Sequence, residues 1–136
     1  MPVRLAFLKY VALFYAILIF AVSAIPNITL PSLGLTFEDK ILHFIEYSIF
    51  SFFLFLAFFT SRRKFLREKV LLFSSLIGIA YALSDEIHQK FVPGRHCDVF
   101  DFLADCLGIM VIQIAVWFYL RRKRRREGRS PIREQV

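Results

Sequence analysis

The chain has 136 residues, 57% of them hydrophobic and 17% aromatic, with seventeen phenylalanines and a mean hydropathy of +0.57. That is too apolar for an ordinary soluble domain, and so short a chain builds one domain in which lipid receives most of the apolar surface, the phenylalanines included. The formal charge is +7, but the basic residues fall in two blocks, 62–69 and 121–133, each directly after an apolar run; this placement marks cytoplasmic flanks rather than a nucleic-acid surface, with anionic lipid as the partner of the tail.

The first apolar run, residues 5–25, is flanked by Arg4 and Lys9 and ended by Pro26. Its length suits a bilayer crossing. The alternative is a cleaved signal peptide, with Val22 and Ala24 as the small residues before the cut; either way the chain emerges on the outer side at Pro26. Residues 26–39, with Pro26, Pro31 and Gly34, carry turn chemistry and read as an external loop. A second run, 41–59, leads to Arg62, Arg63, Lys64, Arg67 and Lys69, which mark a return to the cytoplasm. The third, 70–87, climbs out again to a polar cluster, residues 91–98 with Pro93-Gly94 form a short external turn, and the fourth, 99–120, descends into the arginine-rich tail.

The expected fold is therefore all-α: a polytopic membrane bundle of four transmembrane helices with N and C termini cytoplasmic. Residues 1–120 form the membrane domain and 121–136 a basic, disordered cytoplasmic tail. Cys97 and Cys106 match neither a zinc ribbon nor a CxxC redox motif, and nine residues apart on one helix they would lie on opposite faces. Both read as packing residues.

Ionisable groups inside a membrane span cost several kcal/mol at mid-depth, so each needs a partner, a watery recess or a task. Here they gather. Asp39 and Lys40 stand at the outer mouth of the second helix, followed by His43, Glu46 and Tyr47, which share a face at i, i+3 and i+4. On the third helix, after Ser84, the residues Asp85, His88 and Gln89 repeat that relation, and Glu86 pairs with Gln89. On the fourth, Asp98, Asp101 and Asp105 recur at i, i+3 and i+7, with Gly108 one turn on; at about 1.5 Å per residue Asp105 lies roughly 6 Å deeper than Asp101. All three stripes sit at the outer ends of their helices. Lipid offers no hydrogen bonds, so they should converge on one recess, beside Arg95, whose planar fork suits a carboxylate or a phosphate.

Two uses compete. In one, Arg95, Asp98 and Asp101 pin the loop while His43, Glu46 and Tyr47 bond to the third helix and lock the bundle. In the other, the recess holds a ligand, since a lock needs fewer polar groups than these. Beyond Glu46 the set has Asp85, Glu86, Asp98, Asp101 and Asp105 against Lys40, Lys90, Arg95 and neutral histidines. That acid excess repels a bare phosphate and attracts a divalent cation, a proton or an aminated headgroup. His43, Glu86, Asp101 and Asp105 are candidate ligands for a divalent metal, and His96, beside Cys97, a weaker one. No spacing such as HExxH is present, and no cofactor motif is identified.

Residues 84–108, SDEIHQKFVPGRHCDVFDFLADCLG, together with 39–47, DKILHFIEY, resemble the VanZ-like family of bacterial membrane proteins. That family's pattern, a D-K-x-x-H-x-x-x-Y segment, an E-x-x-Q, a Pro-Gly-Arg turn, two acids three apart and a final Asn before Gly, falls on Asp39, Lys40, His43 and Tyr47, on Glu86 and Gln89, on Pro93, Gly94 and Arg95, on Asp98 and Asp101, and on Gly108. Asp105 stands where Asn is common, and adds a titratable group. The match covers roughly residues 39–108. The resemblance implies a multi-pass protein of the bacterial cytoplasmic membrane and envelope, related to one linked to low-level resistance to teicoplanin, a glycopeptide that binds cell-wall precursors outside the membrane. It implies no reaction.

Three functions fit these residues. The first is a module that binds or modifies a lipid-linked envelope component at the outer leaflet, with Arg95 orienting the headgroup and His43, Glu86 and Asp101 central. The second is a proton or cation path, or a metal-dependent hydrolase, through Asp105, Asp101 and His43. A path would need polar groups in the inner half, where only Ser51, Ser74, Ser75 and Gln113 occur. The third is a purely structural helix bundle.

Overall fold

In lipid the backbone must satisfy its hydrogen bonds within the segment, so proline-free runs of Leu, Ile, Phe and Val fold as helices. The computed structural model describes residues 7–27 and 38–127. Among them there are helices and no strands: α1 (Leu8–Ser23), α2 (Glu38–Phe59), a short α3 (Lys64–Glu68), α4 (Val70–Gln89) and α5 (Val99–Glu127). The stretch 28–37 of the expected external loop and the tail beyond 127 lie outside the described residues.

Helices α2, α4 and α5 are long and apolar enough to cross a membrane. Helix α1, at 16 residues, is shorter than the run that predicts it. It spans about 24 Å, less than the roughly 30 Å of a hydrocarbon core. Pro26 explains its end, because proline disfavours helical geometry in the residue before it. Helix α2 begins earlier than its apolar run and draws Glu38 and Asp39 into its first turn, where acids suit the positive end of the helix dipole.

Two features depart from the expectation. The basic link between α2 and α4 forms α3, with Lys64 and Glu68 3.7 Å apart across one turn. Helix α5 continues through Glu127, so the first basic residues of the tail, beyond the apolar run that ends near residue 120, are helical. Lysine and arginine are good helix formers and suit a helix C-terminus, so a change from apolar to basic side chains does not break the backbone pattern.

The most extensive helix contact is α2 on α5, with α1 and α4 packed alongside. Gly108 makes that contact close: a Cβ there would run into the Phe44 carbonyl and the Ser48 hydroxyl. Small residues do this in membrane bundles because packing, not the hydrophobic effect, holds the helices together. Buried Tyr47, Phe50, Ala82, Ile19 and Ile109 form the core, and the Tyr81 hydroxyl ties α4 to α1 through the Ala16 carbonyl at 2.6 Å. Only 28–33% of each long apolar window is buried, leaving the greater part for lipid. The phenylalanines divide accordingly: Phe14, Phe52 and Phe118 face outward, whereas Phe50 and Phe55 are interior.

At the end of the bundle remote from the basic segments, the turn from α4 to α5 is clasped by the segment after α1. The Asn27 N–H donates to the Pro93 carbonyl at 3.1 Å. Gly94 adopts φ +76°, and a Cβ on it would collide with the Asn27 side chain, so glycine is required there twice over.

Candidate functional site

Helices α2 and α5 run parallel, and their polar residues meet at a constant register. Lys40 reaches Asp101 at 2.9 Å, His43 Nδ1 lies 3.0 Å from Asp105 Oδ1, and Gln113 donates to the Ser51 hydroxyl at 2.8 Å. The sequence offsets are 61, 62 and 62. One face of each helix thus forms a polar seam, charged at the end remote from the basic segments and uncharged further along.

Lys40 is the hub of the charged end. Its ammonium donates to Asp39, Asp98 and Asp101 at 2.8, 3.0 and 2.9 Å. Asp98 also caps the start of α5, accepting the Phe100 N–H at 2.9 Å. That backbone bond first, and Lys40 second, hold the Asp98 carboxyl below its ordinary range. Helix α4 adds Glu86, whose Oε2 accepts the Asp98 N–H at 3.0 Å, and Asp85, which accepts from Gln89 at 3.1 Å. His43, Glu86 and Asp105, one from each of three helices, offer ligand atoms within 4.8 Å of one another. Asp105 is fully buried and Glu86 nearly so, and each keeps one covered oxygen, Oδ2 and Oε1, without a hydrogen-bond partner. The Tyr47 hydroxyl and Asp85 Oδ1 are covered and unpartnered as well.

Beside this cluster a recess of about 330 Å³ opens between α1 and α2. Asp39, His43, Glu46, Gln89 and Arg95 line it together with Tyr15, Val22 and Ser23 of α1 and the apolar Leu42, Ile45 and Ile49. A larger cavity, about 820 Å³, lies at the opposite end; its walls are mainly apolar, with Lys9, Arg62 and Arg63 as its charged groups, and it has no carboxylate.

The candidates from the sequence therefore separate. Lys40, His43, Glu86, Asp98, Asp101 and Asp105 meet in one cluster, while Asp39, Glu46, Gln89 and Arg95 reach the recess. Arg95 does not pin Asp98 and Asp101, which Lys40 holds; it donates to the Val22 carbonyl of α1 at 3.2 Å, with Nε covered and unpartnered. His88 leaves the group, because its place on α4 turns it to α1, where it stacks on Phe20 with ring centroids 4.5 Å apart. Ser84 is exposed and bonds back to Tyr81. His96 is exposed, and so is Cys97, which precedes α5, unlike half-buried Cys106; the two do not share a helix and both are free thiols. The sequence placed Lys40 at the mouth of the site and in the family motif but not at the centre of its ion pairs, and it missed the wall contributed by α1. Ser23, a small polar residue near the outer end of that apolar run, was a weak signal of it.

A bundle of apolar helices that buries carboxylates between them at one end defines a helical membrane protein with a buried polar cluster. The VanZ/LLP1 family model matches residues 4–121, and the chain belongs to that VanZ-like family. No curated protein and no solved structure matches it.

Proposed function

We propose that this protein sits in the bacterial cytoplasmic membrane with four crossings and both ends inside, and binds or modifies a lipid-linked envelope component at the outer face. The orientation rests on the basic segments that follow α2 and α5, which the positive-inside bias holds in the cytoplasm.

The observation that carries the functional reading is the recess. Its lining combines Glu46, Asp39 and His43 with Arg95, and Leu42, Ile45 and Ile49 form its apolar part. This is the complement of a headgroup that carries an amine beside a phosphate: the amine meets the carboxylates and the phosphate meets the guanidinium. The tail of such a lipid stays in the bilayer beside α1 and α2. A bare anion would face the acid excess instead.

An ion path is supported less well. Ser51 and Gln113 bond each other, and Ser74 donates to the Val70 carbonyl of its own helix at 2.7 Å, so three of the four polar residues of the far half are engaged within the bundle.

The test is lipid analysis of gently purified protein. Wild type retains a lipid whose headgroup carries both charges, whereas Arg95→Ala and Glu46→Gln retain at least about tenfold less, a loss of roughly 1.4 kcal/mol. An identical lipid complement in all three proteins contradicts the proposal.

A further inference from the structure

We infer that His43, Glu86 and Asp105 together bind one divalent transition-metal ion. Three helices deliver these side chains to one point, with ligand atoms no more than 4.8 Å apart. In a six-coordinate shell with bonds of about 2.1 Å, neighbouring ligands are about 3 Å apart and opposite ones about 4 Å. The His43–Asp105 separation of 3.0 Å already suits neighbours, and a sub-ångström contraction brings in Glu86.

The second observation is the state of the carboxylates. Glu86 is 2% exposed and Asp105 0%, and each has a covered oxygen that no donor reaches. A buried acceptor left unpaired is costly, and a buried charge far more so. Among the described residues no cation paired with these acids answers both, because Lys40 is engaged by three aspartates and His43 carries at most one charge against two acids. A dication held by the triad offsets the charge of both carboxylates at once.

The donor set narrows the ion. One imidazole and two carboxylates suit Mn²⁺ or Zn²⁺, whereas Ca²⁺ takes six to eight oxygens. Surrounding bonds already orient the ligands, since the Asp98 N–H holds the other oxygen of Glu86 and Lys40 fixes neighbouring Asp101. Three protein ligands leave a position open for an oxygen from outside. That this oxygen belongs to the headgroup phosphate is the one clause that rests on the proposed function.

Full-length protein in detergent, stripped with EDTA, is titrated with Mn²⁺ and separately with Zn²⁺ by calorimetry and followed by thermal melting. The expectation is one ion per chain and a raised Tm in wild type, with affinity lowered by about 100-fold or more and no Tm rise in Glu86→Gln and Asp105→Asn. A His96→Ala/Cys97→Ser double variant, which removes the exposed surface donors, binds as wild type does. Because the buried variants can lose their fold, wild type loaded with Mn²⁺ is also read by pulsed electron paramagnetic resonance, which should detect coupling to an imidazole nitrogen. No uptake, no nitrogen coupling, undiminished binding in the folded Glu86→Gln protein, or loss of binding in the surface variant overturns the inference. Arg95→Ala and Glu46→Gln keep the metal while losing the lipid, so the two proposals fail separately.

Discussion

His43 and Asp105 illustrate why the charged residues of this bundle act in pairs. Asp105 has no exposure and, among the described residues, no hydrogen-bonded side chain but His43, so removing the imidazole leaves an acid buried and uncompensated. His43→Ala should cost about 3–5 kcal/mol of stability, whereas a His43→Leu/Asp105→Leu double replacement, which removes both charges, should recover most of that loss. Denaturation of the three proteins in one detergent checks this; a double variant as unstable as the single one would show that the pair is not the source of the cost. Insertion should survive in every case, because the apolar lengths of α2 and α5 are unchanged. Single residues were legible in the sequence as far as their faces: the 39-to-47 and 98-to-105 spacings put the right groups on one side of each helix. Their partners were not. Whether Lys40 or Arg95 holds Asp101 depends on reach and on where the turn after Pro93 directs its side chains, and periodicity contains neither.

The relative height of two helices decides which stripes meet. The α2–α5 seam has an offset of 61 or 62 at the Lys40–Asp101, His43–Asp105 and Ser51–Gln113 contacts, and the close approach of Gly108 to the Phe44 carbonyl holds the helices together between them. Gly108→Ala should therefore push α5 away from α2 and cost about 1–3 kcal/mol, as overpacking does in a well-filled interior. The check is a lowered Tm together with loss of whatever ligand the charged end retains; an unchanged melt would show that the seam tolerates the extra carbon. Apolar length predicted α2, α4 and the bilayer-crossing part of α5 well. It did not predict α3 or the continuation of α5 to Glu127, because basic residues are compatible with helix and report on solvent rather than on backbone. The contribution of α1 to the recess was also invisible, since Tyr15 and Val22 are ordinary members of an apolar run until packing selects them.

For the molecule as a whole, the natural thiol Cys97 gives a direct reading of orientation. It is free and exposed, beside the turn that Asn27 clasps, at the end opposite the basic segments. With that end outside, a membrane-impermeant maleimide labels intact cells through Cys97, and Cys97→Ala abolishes the labelling. Labelling only after the cells are opened would reverse the proposed topology. Family membership supports a membrane protein of this architecture, yet fold alone assigns no chemistry. The functional account therefore stands on the recess, and a photoreactive residue placed in it tests the central claim most directly. Incorporated at Ile49, which lines the recess, such a residue should capture a lipid-linked headgroup compound; incorporated at Ile77, in the larger cavity, it should capture only bulk phospholipid. The same adducts at both positions would contradict the account.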